Sequence, residues 1–385
     1  MINKNYLHSF FVTGAVLVSA CLSSCNQDDK KPEDPPMIRT AQQVVQQGLV
    51  GAVFSKLTTE STSFDSAGFT NQEQGIALQS TQYFALGSNG KSITAMLAAK
   101  MVEAGLVQWN SRIIDVLPEL KDNIRAEYSE VTLEQLLDHR SGMIPLTSIE
   151  EAQSYDGDFP DDRWERRVHI IKWILNQKPV AAPGTSFSYS NAGYTVAGAM
   201  LEKLGKDSYL NLVNQWVLAP LGISAIMTMP ATQLANQPLG YLGQKNHLTQ
   251  VNPLDETLLR LDDAIAPAGS LCMTAQDYGK YLRWHLMALS GKNTPIPFSY
   301  IDKLQKMSDG EYKLGWGLIK NTQSNAAILL HLGETDGFTS LAILDQKGSL
   351  GVFALANTAT DDDNQPWVAS LLQNNALQLY VNAKH

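Results

Sequence analysis

The sequence predicts a mixed α+β (α/β) fold: one antiparallel sheet flanked by helices and assembled from both ends of the chain, with an all-helical domain inserted between. Three observations carry this. Short β-rich runs separated by turn residues occupy both ends of the folded part. The stretch from Ser88 to about Lys306 has mostly helical spacing. And 385 residues are too many for one small core but suit one large domain or two intimate ones. No internal repeat or coiled-coil pattern competes with this arrangement.

The first 25 residues, MINKNYLHSFFVTGAVLVSACLSSC, stand apart. Lys4 precedes an apolar run from Phe10 to Val18 that is too short to span a bilayer, and small residues lead up to cysteine. This predicts an export signal over 1–25. Cys21 and Cys25 both sit where a bacterial lipobox, which this pattern resembles, would be cut and acylated. Cys25 is preferred, because the polar tether NQDDKKPEDPP (26–37) follows it directly. Simple secretion without lipid is the alternative. The expectation is an exported, lipid-anchored protein at the periplasmic face or surface of an outer membrane. Only Cys272 remains in the folded part, so no disulfide framework is available.

The folded part, 38–385, divides into a sheet portion (38–87 and 307–385) and a helical portion (88–306). Ile38–Gly48 reads as a helix, and GAVFSKLT with the segment up to Thr70 reads as a hairpin. YFAL leads into Ser88. The next helix carries Ile93, Met96, Leu97, Met101 and Ala104 on one face and stops at Gly105. Thr132-Leu133-Glu134-Gln135 is a capping-box pattern. Further helices are expected over Asp161–Gln177, ended by Pro179; Asn191–Leu204, closed by Gly205; and Thr274–Leu289, with Gly291 behind it. Strands return in KLGWGLI, AAILLHL, TSLAIL and SLGVFALAN, and a last amphipathic helix covers Trp367–Val381.

Composition narrows the partners. The net charge of −9, with no basic cluster, argues against nucleic acid. A hydrophobic content of 44% and a charged content of 17% are those of an ordinary folded protein. The seven histidines lack ligand spacing and no His-Glu-x-x-His occurs, so neither a metal nor another cofactor is expected. A Gly-x-Ser-x-Gly elbow is also absent.

Chemistry is suggested by FALGSNGKSITAM. A serine hydroxyl needs a base to act as a nucleophile. Residues three apart share a helix face, so Lys91 can reach Ser88. Burial would lower the Lys91 pKa enough for it to serve, and the small side chains of Ala95 and Ala98 would let another segment pack close. The helix N-terminus offers N–H groups to an oxyanion. The same residues would equally make a helix cap and a solvated lysine.

A second element is FSYSNAGY. A tyrosine beside a cation loses its proton more easily, so Tyr189 can relay one, and Asn191 can donate to a substrate carbonyl. A buried tyrosine with a capping asparagine fits as well, and the spacing recurs at Tyr380-Val381-Asn382. A third is His331-Leu332-Gly333, where an edge strand could hold an extended substrate through its main chain and glycine permits close approach. A lone histidine beside a turn glycine has the same appearance.

In this order the three elements resemble the serine β-lactamase and penicillin-binding-protein superfamily, most of all its class C branch. GSNGKSITAMLAAKMVEAGLVQWNSRIIDVLPEL, LLDHRSGM, PGTSFSYSNAGYTVAGAMLEKLGKDSY, APAGSLCMTAQDYGKYL, KLGWGL and HLGETDGFTS extend the likeness over roughly residues 38–380. The resemblance implies the β-lactamase/DD-peptidase fold, with a site in the cleft between the sheet and helical parts. It implies Ser88 as the acylated nucleophile, Lys91 as its activating partner, Tyr189 as proton relay and Asn191 as carbonyl ligand. His331 and Gly333 would stand in the third motif, and the N–H groups of Ser88 and Glu334 would form the oxyanion hole. His139, Ser141 and Gly142 would be architectural. Class C β-lactamases carry Lys-Thr-Gly as the third motif. Histidine at that place is mostly neutral near pH 7, and Glu334, if it pointed into the cleft, would repel a substrate carboxylate. The His form resembles DD-peptidase, D-aminopeptidase and esterase members. The expectation is therefore a monomeric serine hydrolase working through a Ser88 acyl-enzyme on esters or D-amino-acid amides, with a cell-wall D-alanyl peptide as the first candidate. A β-lactamase and a penicillin sensor that does not turn over are the alternatives. Specificity would lie in loops such as Ser148–Asp162 and Met227–Ala264, whose course is not legible.

Overall fold

The two ends of the chain meet in the middle of one sheet: Ala52 lies opposite Ala356. The computed structural model describes residues 40–148, 151–152, 154–227, 234–251, 256–320, 326–361 and 365–384. The expected signal (1–25), Cys21, Cys25 and the tether (26–37) lie outside the described residues.

Helix α1 (Thr40–Gln46) leads into the hairpin β1 (Gly51–Leu57) and β2 (Thr62–Asn71), then β3 (Ile76–Ala77) and β4 (Tyr83–Ala85). The insertion holds α2 (Gly90–Glu103), α3 (Leu133–Leu137), α4 (Arg163–Asn176) and α5 (Asn191–Gly205). It continues with the hairpin β5 (Tyr241–Gln244) and β6 (His247–Gln250), then α6 (Glu256–Ala264), β7 (Cys272–Thr274), α7 (Ala275–Leu289) and α8 (Phe298–Gln305). The chain closes with β8 (Tyr312–Lys313), β9 (Trp316–Lys320), β10 (Ala327–Thr335), β11 (Phe338–Asp345), β12 (Gly351–Ala356) and α9 (Trp367–Asn382). The main sheet has the order β3-β2-β1-β12-β11-β10-β9-β8, and every described neighbour pair is antiparallel.

The sheet is the middle of three layers. On one face α1 and α9 pack Val44, Leu372 and Ala376 against Phe54, Ile343 and Val352. On the other, α7 lies against β1, β2 and β12, and the rest of the insertion follows. Burial on both faces is why β11 and β12 are buried throughout and largely apolar, with no alternation. The insertion is mainly helical, but β7, paired with β4, and the hairpin β5–β6 interrupt it, and α7 belongs to the sheet layers.

Several helix ends follow the side chains that cap them. Thr132 and Gln135 form the expected capping box. Asp162, Ser190 and Thr274 each accept from an N–H three residues on. One stop signal differs. Helix α5 runs through Gly205, and Lys206 takes the left-handed closing position at φ +55. Gly205 serves packing instead, since a Cβ there would lie 2.5 Å from Leu212.

Candidate active site

The site is built around a turn that the sheet and the insertion hold together. Strand β4 pairs with β7, and the Leu86 N–H reaches the Leu271 carbonyl at 2.9 Å. Gly87–Asn89 then makes one 3₁₀ turn before α2 begins at Gly90. The Asn89 side chain clamps this turn: its Nδ2 donates to Ser340 Oγ (2.6 Å) and its Oδ1 accepts from the Tyr278 hydroxyl (2.9 Å). From Phe84 to Ala99 every residue is buried except Ser88. One hydroxyl is thus presented from an otherwise sealed segment.

Lys91, one helical turn on, is wholly buried. Its Nζ lies 2.9 Å from Ser88 Oγ, 2.7 Å from Asn191 Oδ1 and 2.6 Å from the Ala268 carbonyl. Burial drives its pKa well below that of an ordinary lysine. The two outer contacts can only accept. A neutral amine therefore spends both hydrogens on Asn191 and Ala268 and turns its lone pair toward Ser88. Tyr189 donates from its phenol to Ser88 Oγ at 2.6 Å. Its pKa moves up, because complete burial penalises the phenolate more than the Ser88 contact favours it. This corrects the expectation of a tyrosine acidified by a neighbouring cation: Lys91 Nζ lies 4.8 Å from the Tyr189 ring centroid, but the cost of burying a phenolate prevails.

Asn191 also has partners within the protein. Its Oδ1 holds Lys91 and its Nδ2 donates to the Leu146 carbonyl at 2.9 Å. Asn191 thus orients the lysine, while its NH2 group has a second hydrogen with which it can still donate to a substrate carbonyl. His139 supports the other side: its Nδ1 accepts from the Ser190 N–H (3.0 Å) and its ring lies 4.1 Å from that of Tyr189.

Strand β10 forms the second wall. It is not an edge strand over its length, since β9 pairs with it as far as Leu330–Gly317. Only from His331 onward does that side face the nucleophile turn. The β10–β11 turn has both central residues at positive φ, Asp336 at +46 and Gly337 at +79, which fixes Thr335–Phe338 as the closing pair. By alternation the Glu334 N–H points away from β11, toward Gly87 and Ser88. A Cβ on Gly87 would indeed sit 2.8 Å from the Glu334 nitrogen. The Glu334 carboxylate, on the opposite strand face from His331, meets the Thr339 hydroxyl at 3.2 Å. His331 Nδ1 donates to the Gly315 carbonyl at 2.5 Å. Burial, then the charge of Lys91, pushes the His331 pKa down to about 3, so the ring is neutral at pH 7.

Gly333 is a requirement of this packing. A Cβ there would lie 2.2 Å from the Leu86 carbonyl oxygen and 2.8 Å from the Ser88 nitrogen. Gly333→Ala is expected to push β10 off the turn and lower acylation of Ser88 by about 10²-fold or more, the scale of losing one oxyanion donor. Second-order labelling rates with a fluorescent penicillin measure this; an unchanged rate refutes it.

A family model described as Beta-lactamase matches residues 37–374. The chain belongs to the beta-lactamase family. It is 27% identical over 222 residues to Penicillin-binding protein 4 of Amycolatopsis lactamdurans, covering 57% of this chain and 55% of that protein. The chain spans 55–60% of the length of the curated relatives it first matches. Among solved structures, D-amino acid amidase from Ochrobactrum anthropi SV3 superposes with a TM-score of 0.71 at 18% identity, over 90% of this chain and 98% of that one. The octameric penicillin-binding protein homologue from Pyrococcus abyssi gives 0.70 at 21%, over 88% and 75%. At these identities the structures speak for the fold alone.

For a beta-lactamase-family chain, the contacts that sequence reading missed are mostly main-chain ones. The Ala268 carbonyl on Lys91, the Gly315 carbonyl on His331 and the Leu146 carbonyl on Asn191 have no side-chain signature. Asn89 and Ser340 did carry a signal: polar residues inside apolar runs that must find partners when buried.

Proposed function

We propose that this beta-lactamase-family protein is a serine hydrolase that forms an acyl-enzyme on Ser88, with esters and D-amino-acid amides as substrates. The observation that carries this is a single reachable hydroxyl held between a buried lysine at 2.9 Å and a buried phenol at 2.6 Å. Ser88 Oγ attacks the substrate carbonyl carbon and its proton passes to Lys91. The N–H groups of Ser88 and Glu334 receive the negative oxygen. The Tyr189 phenol delivers a proton to the departing alcohol or amine and is replenished from the Lys91 side. Water then attacks the acyl-enzyme by the reverse proton route. The export address expected from residues 1–25 supports a cell-wall D-alanyl peptide as the first natural candidate.

The neutral His331 favours uncharged or amide substrates over penicillins. It supplies no fixed cation for the carboxylate that those drugs carry. Steady hydrolysis of p-nitrophenyl acetate and D-alanine p-nitroanilide is expected, with nitrocefin slow. A single burst without turnover on all three would identify a sensor. Nitrocefin kcat/KM near the diffusional range of about 10⁸ M⁻¹s⁻¹ would make it a β-lactamase.

A further inference from the structure

Asp138 lies in none of the roles above, yet it is buried and reaches across the cleft. It follows α3, and its Oδ1 accepts from the Leu314 N–H at 3.1 Å. Leu314 stands in the left-handed region at φ +49, a conformation that a branched side chain holds only when its surroundings impose it. The next residue, Gly315, presses on the nucleophile helix: a Cβ there would be 2.4 Å from Ser92 Cα and 2.9 Å from the Lys91 carbonyl carbon. Its own carbonyl receives the His331 Nδ1–H. A carbonyl oxygen cannot donate, so this contact requires the proton on Nδ1 and leaves Nε2 as an acceptor. That Nε2 is buried with no partner among the described residues.

The charges facing Asp138 are otherwise occupied. Lys303, on α8, pairs with Glu134 of α3, and Lys313, on β8, pairs with Glu311 at 3.1 Å. Tyr194 and Tyr312 also face it and donate no bond to its carboxyl among the described contacts. The Leu314 N–H is therefore the specific bond this carboxyl makes. Burial pushes its pKa up to about 7, which makes asparagine a near copy of its protonated form. The neighbouring His139 braces the Tyr189 side, so two consecutive residues of the insertion touch both walls of the site.

We propose that Asp138 is a positioning residue: it pins the Leu314–Gly315 turn and, through the Gly315 carbonyl, fixes His331 as the Nδ1–H tautomer beside the Ser88 centre. The catalytic consequence rests on the reading of Ser88, Lys91 and Tyr189 given above; the tautomer does not. The test uses the full chain in three forms, Asp138→Ala, Asp138→Asn and Asp138→Ala with Leu314→Gly. Histidine ¹⁵N spectra are recorded, with His331 assigned by its loss in His331→Gln, alongside p-nitrophenyl acetate kinetics. Asp138→Ala is expected to shift His331 toward the Nε2–H form and lower kcat about 10–100-fold, with KM within about 3-fold. Asparagine, which still accepts from Leu314, should restore both. Glycine at 314 takes the positive φ without pinning and should recover about tenfold of the loss, which keeps the test available if alanine alone melts the protein. Unchanged His331 in Asp138→Ala, asparagine as impaired as alanine, or no recovery in the double variant would overturn the inference. A shifted tautomer in a protein whose Ser88 cannot be acylated would uphold the turn and overturn the catalytic reading instead.

Discussion

Ser88→Ala is expected to abolish covalent labelling by a fluorescent penicillin and to cut ester kcat/KM by about 10⁴–10⁶-fold, the range seen when a nucleophile is removed from a cooperating set. The protein should stay folded. Ser88 is the only residue between Phe84 and Ala99 that is not buried, and the turn is held by Asn89, Ser340 and Tyr278. Intact mass after incubation with penicillin gives the readout: one adduct on the wild type and none on the variant. An adduct that survives places the nucleophile elsewhere and removes the basis for every role assigned here.

Lys91 should be nearly as sensitive, and in a diagnostic way. Lys91→Arg keeps a cation but cannot give up its proton, because guanidinium stays charged throughout the accessible range. Loss of about 10³-fold or more in acylation rate is expected, with the buried charge now facing Asn191 and Ala268 permanently. The pH profile carries the sign. Lys91 works as the neutral amine, and burial lowers its pKa, so kcat/KM should rise with pH through a value well below 10.5. In Lys91→Arg that limb should vanish. A limb at the ordinary lysine value, or arginine activity within tenfold of wild type, would mean that Lys91 only shapes the turn.

These residues were legible to different degrees, for physical reasons. Ser88 and Lys91 lie one helical turn apart, so local periodicity brings them together whatever the rest of the chain does. The sheet from both termini was also legible, because β1, β2 and β9 to β12 carry strong strand signals of their own. The partners of Asn191 were not. Its side chain could serve a substrate, and only the tertiary placement of Leu146 and Lys91 gives both of its ends a partner within the protein. His331 was read onto an edge strand because nothing in KLGWGLI says that β9 pairs as far as Gly317 and no further. The Tyr189 shift went the other way because complete burial of the phenol, a tertiary property, outweighs what its neighbours offer the phenolate. Asp138 looked like any polar residue after a short helix; its importance comes from a backbone N–H 176 positions later.

The pairing of Ala52 with Ala356 has a consequence for how the molecule comes into being. The central ladder closes a loop of some three hundred residues, so its formation carries a large separation cost and is expected to be late and slow. Until β12 arrives from the ribosome, β1 has one edge exposed, with Val53 and Phe54 uncovered and open to pairing with another nascent chain. The Ser88 hydroxyl is synthesised well before β10, the strand that faces it. The chemistry proposed for Ser88 therefore waits on β10 and β12, and a chain interrupted before them is an aggregation hazard before it is an inactive one.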